Sequence, residues 1–157
     1  MSEALRKRLI FEGWRFIRHS SALVLHSYCL DAVKRPDLEI KVRELPFNGP
    51  WSRIGGMFPE ALDRVLQGLP AAGEGEDADV VVDAIFGIGL SRDVDGDLAL
   101  VIDQINDGKA PVMSIDIPSG IHATTGARLG VAVQADFTVT FIALKQGLYT
   151  GQGPACA

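Results

Sequence analysis

ADVVVDAIFGIGLSRDVDG, residues 78–96, is the stretch on which the fold turns. Val80, Val81 and Val82, then Ala84, Ile85 and Phe86, make a nearly continuous apolar run interrupted only by Asp83. A strand with one wet face alternates apolar and polar residues. A run without alternation is the mark of a strand covered on both faces, as in a parallel sheet. Gly87-Ile88-Gly89 ends the run abruptly. Asp95-Gly96-Asp97 offers a helix start, Leu98, Val101, Ile102 and Ile105 form one apolar stripe, and Asn106-Asp107-Gly108 closes the helix. Pro111 to Ile117 reads as a second buried strand and Phe137 to Ala143 as a third. Strand, helix, strand at this spacing is a βαβ unit, so the expected class is α/β, with a mainly parallel sheet and helices on its faces.

Upstream the signals are weaker. Residues 2 to about 18 read as a helix, with Ser2 as cap and Leu5, Leu9 and Ile10 at helical spacing, although Gly13 weakens its continuation. Ala22 to Leu30 is apolar enough to be a buried helix or a buried strand, and Arg35-Pro36-Asp37 ends it as a turn. Leu38, Ile40 and Val42 alternate with Glu39, Lys41 and Arg43, the period of a half-buried strand near a sheet edge. Residues 46–56 hold two prolines and three glycines and read as a loop. Pro59 then fits the first turn of a helix with Leu62, Val65, Leu66 and Leu69 on its apolar face, and Ala71 to Glu76 is a second loop.

Composition narrows the classes of function. A chain of 157 residues with 47% hydrophobic content fits a single domain with a normal core. No run approaches the roughly 18 apolar residues that span a bilayer. The first residues lack the pattern of a secretory signal, so the cytoplasm is the expected compartment. Cys29 and Cys156 are far apart, with no CxxC and no histidine cluster to suggest zinc or redox chemistry. Residues 1–55 carry ten Lys/Arg against six Asp/Glu, whereas residues 56–157 carry five against fourteen. That acidity argues against a nucleic-acid surface on the second half, since phosphate backbones are met by clustered cations.

In open parallel sheets ligands bind beyond the carboxyl ends of the strands, so the chemistry belongs where each apolar run stops. The first stop gives Asp83 and then Gly87-Ile88-Gly89-Leu90-Ser91. The second gives Asp116 and then Ile117-Pro118-Ser119-Gly120. The third gives Lys145. Gly-x-Gly after a strand suits a backbone that passes close to a phosphate, yet it is equally an ordinary tight turn. Arg92 stands where the full dinucleotide fingerprint would place its last glycine. Asp83 lies inside an apolar run and must meet a cation, backbone donors or a proton; a capped structural aspartate satisfies the same demand. Pro118 stops the second ladder and exposes Asp116 and Ser119 at its tip, where Ser119 could equally cap the turn. Lys145 could be an ordinary surface lysine.

Taken together, these residues carry a resemblance. DAIFGIGLSRDVDG (83–96), SIDIPSG (114–120), Thr125-Gly126, ADFTVTF (135–141) and ALKQGL (143–148) follow one another in the order and spacing of the YjeF N-terminal family of NAD(P)HX epimerases. The resemblance implies a Rossmann-like three-layer sandwich and interconversion of the R and S forms of NADHX and NADPHX in nicotinamide nucleotide repair. It implies a potassium ion held by Asp83 and Ser119, and a substrate loop of Gly87, Ile88, Gly89, Leu90, Ser91, Arg92 and Asp93. Asp116 would be the catalytic group on the hydrated nicotinamide, with Lys145 beside the substrate. It further implies a homodimer and a dehydratase domain or partner. The family's GNNGGDG loop after the first strand does not occur between Met1 and Ala78. The expectation is therefore one incomplete domain over 1–157, with a divergent part at 1–70 and the ligand-binding half at 77–153. A non-catalytic nucleotide-binding or dimerisation module is the alternative reading.

Overall fold

The computed structural model describes residues 7–13, 31–44, 64, 65, 67–73 and 77–157. Its centre is the valine run. Strand β3 (Val80–Asp83) is paired on one side with β1 (Lys7–Gly13) and on the other with β4 (Val112–Ile115). The edges are β2 (Leu38–Glu44), beside β1, and β5 (Phe137–Val139), beside β4. All four pairings are parallel, in the order β2-β1-β3-β4-β5. Helix α1 (Gly96–Asp107) connects β3 to β4, as its apolar stripe requires, and a short helix α2 (Gly153–Cys156) lies at the end.

Successive strand residues point to opposite faces, which explains why β3 lacks polar alternation. Val80 and Val82 join one apolar cluster with Phe11, Ile40, Val42, Leu69, Ala84 and Ile115. Val81 joins another with Ile85, Val94, Ile102, Ile105, Val112 and Val133, where α1 packs. Ile102 is fully buried, which places the α1 stripe against the sheet.

The helix expected over residues 2–18 is corrected: Lys7–Gly13 is a strand inside the sheet. Leu5, Leu9 and Ile10 do fall at helical spacing, but Leu9-Ile10-Phe11 is also a short continuous apolar run, and burial from both sides selects the strand. Ile10 and Phe11 are both buried. The alternating segment from Leu38 is a strand at the sheet edge, as its pattern predicts. The readings for 22–30, 46–56 and the first turn from Pro59 lie outside the described residues. Among the described residues no helix is long and apolar enough to cross a membrane.

The order has one functional consequence. From β1 the chain moves outward to β2 and then returns past β1 to β3, so β1 and β3 flank the point where the winding reverses. In such sheets the crevice at the carboxyl ends of those strands is the ligand position.

Candidate active site

Asp83 is the last residue of β3 and its side chain is buried. Its carboxylate is a hub. Oδ1 accepts from the Ile85 amide at 3.2 Å and the Ser119 hydroxyl at 2.6 Å, while Oδ2 accepts from the Ser114 hydroxyl at 2.8 Å and the Ser119 amide at 2.9 Å. Ser114 is its register partner on β4. Burial pushes the Asp83 carboxyl above the usual carboxylate range, opposed by the hydrogen bonds from Ser119, Ser114 and Ile85. All the groups opposing that shift are neutral.

Ser119 ties the second strand tip to the first. Its hydroxyl oxygen accepts from the Phe86 amide at 2.8 Å and lies 3.4 Å from the Phe86 carbonyl oxygen. A carboxylate, a hydroxyl and a carbonyl thus gather at one point. These are hard oxygen donors of the kind alkali and alkaline-earth cations take. Among the described residues no group of three or more His, Cys, Asp and Glu side chains is arranged to hold a metal.

Beyond Phe86 the segment 87–93 runs over the same rim. The Leu90 amide closes a turn onto the Gly87 carbonyl at 3.3 Å, and Ile88, Gly89, Ser91, Arg92 and Asp93 are exposed. A Cβ added at Gly89 would meet no atom within 4 Å, so the folded chain itself does not demand glycine there.

Asp116 lies just past β4 with φ +73, a left-handed backbone for a non-glycine residue. Its Oδ1 accepts from the Thr140 hydroxyl at 3.2 Å, from the Phe141 amide at 3.1 Å and from the Lys145 ammonium. Lys145 also donates to the Phe141 carbonyl at 2.7 Å. Its side chain is 14% exposed, so it is no ordinary surface lysine. Among the described residues nothing hydrogen-bonds Asp116 Oδ2.

Because β3 and β4 are parallel neighbours and Ser119 binds Asp83, the segments carrying Asp83, Asp116, Ser119 and Gly87 to Asp93 share one end of the sheet. Lys145 joins them through Asp116.

One group escaped the sequence reading. Glu12, at the end of β1, is 1% exposed, and its Oε1 accepts from Arg43 of β2 at 2.5 Å. Its Oε2 is buried without a hydrogen-bond partner among the described residues. The signal was a carboxylate following Leu9-Ile10-Phe11, hidden by the helical reading. Burial raises the Glu12 carboxyl to about 7, against the lowering effect of Arg43, with Asp83 adding to the rise. A raised carboxyl binds its proton in the folded chain where the unfolded chain has lost it. Stability should therefore fall as pH rises from 4.5 to 7, by about 3 kcal/mol from this group. Denaturant titrations across that range should find the fall reduced in Glu12→Gln; an unchanged slope would contradict the assignment.

Comparison with known proteins places this geometry in context. The family model for YjeF-related protein N-terminus matches residues 55–147. An NAD(P)H-hydrate epimerase of Limosilactobacillus fermentum is 57% identical over 82 residues, which cover 52% of this chain and 39% of that protein. A bifunctional NAD(P)H-hydrate repair enzyme Nnr of Thermosynechococcus vestitus is 46% identical over 85 residues, covering 50% of this chain and 17% of its own length. The chain thus spans well under half of the curated relatives it matches. The crystal structure of yeast ynu0 superposes with a TM-score of 0.64 at 13% identity, covering 96% of this chain and 64% of that one, a likeness of fold.

Proposed function

The chain belongs to the family of YjeF-related protein N-termini, and on that premise we propose that it is an NAD(P)H-hydrate epimerase, interconverting the R and S forms of NADHX and NADPHX. The observation that carries this reading is the Asp116 carboxylate, anchored through Oδ1 and, among the described residues, left with an unbonded Oδ2 just past the carboxyl end of β4. Epimerisation at a hydrated ring carbon needs its hydroxyl to leave and to return on the other face. Oδ2, when protonated, gives its proton to the departing hydroxyl, which leaves as water. Water then adds to either face of the planar cation and returns a proton to Oδ2. One group serves both directions, as acid and then as base.

The loop Gly87 to Asp93 would carry the dinucleotide's phosphates. Backbone without a Cβ at Gly89, next to open space, is what close approach of a phosphate asks for. Lys145 stands beside Asp116, near the substrate.

Potassium fits the oxygens around Asp83 and Ser119, and its charge would balance a buried carboxylate opposed only by neutral donors. When bound, the ion would supply a positive field for the substrate's phosphates. Thermal melting should then rise in KCl relative to choline chloride at equal ionic strength, because a ligand that binds only the folded state stabilises it. Asp83→Asn should abolish that increment; equal melting of the unaltered protein in both salts would remove potassium from the account.

Two further expectations follow from the same premise. The product epimer would pass to a dehydratase domain or partner, and two copies of the chain would pair. The absence of a GNNGGDG string favours a second reading, a nucleotide-binding or dimerisation module without turnover. Incubating the purified chain with pure R-NADHX in KCl and following the S form by chromatography separates the two. Exchange above the spontaneous rate supports the epimerase, whereas binding at the spontaneous rate supports the module.

A further inference from the structure

We propose that Thr140 and Lys145 are positioning residues for Asp116: by occupying Oδ1 they hold its side chain in one rotamer and leave Oδ2 as the atom offered to the ligand. The inference rests on the reading of Asp116 given above. Its observations are geometric. Three donors meet on a single carboxyl oxygen, and all three come from residues 140–145, which follow edge strand β5. An oxygen holding three donors, one of them cationic, has no lone pair left for proton exchange. A carboxylate held only by water would present either oxygen.

The segment that supplies these donors is itself bent at a cost. Ile142 has φ +63, which a β-branched side chain disfavours, and its side chain is fully exposed at 110%, so no packing compensates. Asp116 is strained in the same sense. Strain at both ends of one contact persists only where other interactions over-determine it. Here Lys145 does so, since its ammonium bonds both Asp116 Oδ1 and the Phe141 carbonyl, one residue before the strained position. Thr140 holds the other side of the turn. The hook therefore closes on the carboxylate and fixes it while being fixed by it.

This differs from a lysine that binds substrate, and the two are separable. Lys145→Met keeps the aliphatic stem and removes the ammonium. It should lower kcat on the order of 10²-fold, the penalty of a misplaced catalytic group, with KM nearly unchanged, and Lys145→Arg should recover much of the loss. Thr140→Val, of nearly the same shape, should lower kcat in the same sense by a smaller factor and guards against a misfolded Lys145 variant. A second measurement is independent of turnover: the coupling constants of the Asp116 β-protons by NMR in the ligand-free chain. They should report one rotamer in the unaltered protein and averaging in Lys145→Met and Thr140→Val. A rise in KM with kcat preserved, or a single Asp116 rotamer in both variants, would overturn the proposal. If the unaltered chain gives no epimer exchange, the epimerase reading fails, while the rotamer measurement still decides whether the hook orients Asp116.

Discussion

Asp116→Asn should slow R/S exchange by roughly 10² to 10⁴-fold, the usual contribution of a positioned acid–base group, with little loss of stability. Asparagine suits this test for two reasons. Its backbone tolerates the left-handed region that Asp116 occupies at φ +73, whereas alanine would add strain to the chemical change. Its carbonyl oxygen can also accept from Thr140, Phe141 and Lys145 in place of Oδ1, so the hook has a partner. The amide that replaces Oδ2 cannot take up or release the proton. Exchange kinetics paired with thermal melting check the expectation. An unaltered rate would place the chemistry elsewhere on the rim, and a collapsed melting temperature would make Asp116 structural.

Gly120→Ala should cost far more folding free energy than one added methyl group would suggest. A Cβ at Gly120 would lie 2.1 Å from the Val131 carbonyl oxygen and 2.6 Å from the Ala132 Cα, and the residue has φ +96. The clashing atoms are backbone, so no rotamer change relieves them. The Leu129 amide donates to the Gly120 carbonyl at 2.8 Å and the Val133 amide to the Ser119 carbonyl at 2.8 Å, which zips the loop to the segment it would strike. Relief would require moving the strand tip that brings Ser119 to Asp83. We expect a loss of at least about 3 kcal/mol in denaturant unfolding, the sum of backbone strain and overpacking. Gly89→Ala provides the contrast. Nothing lies within 4 Å of its added Cβ, so its stability should change by less than about 1 kcal/mol, while KM for the dinucleotide rises. Equal stability losses in the two variants would contradict this picture of the rim.

The middle of the sheet was legible because burial on both faces leaves an unmistakable pattern. Val80 to Val82 and the α1 stripe could hardly be read otherwise. The strands end earlier than their apolar runs, at Asp83 and Val139 rather than Phe86 and Ala143. The reason is the site itself: the Ile85 and Phe141 amides turn to carboxylates instead of ladder partners. Asp83, Asp116 and Ser119 announced themselves as polar groups at the ends of apolar runs. What each of them touches was hidden, since Ser119 reaches Asp83 across 36 positions and Lys145 reaches Asp116 across 29. β1 was misread because three consecutive apolar residues carry too little periodicity to outweigh a helical spacing that begins at Leu5. With it went Glu12, whose partner Arg43 is 31 positions away.

A crystal structure of the chain with bound NADHX tests the central claim most directly. The account predicts the hydroxyl of the hydrated ring within hydrogen-bonding reach of Asp116 Oδ2, with the diphosphate lying along the backbone of Gly87 to Asp93. A dinucleotide bound away from the carboxyl ends of β3 and β4, with Asp116 facing only its own hook, would contradict it.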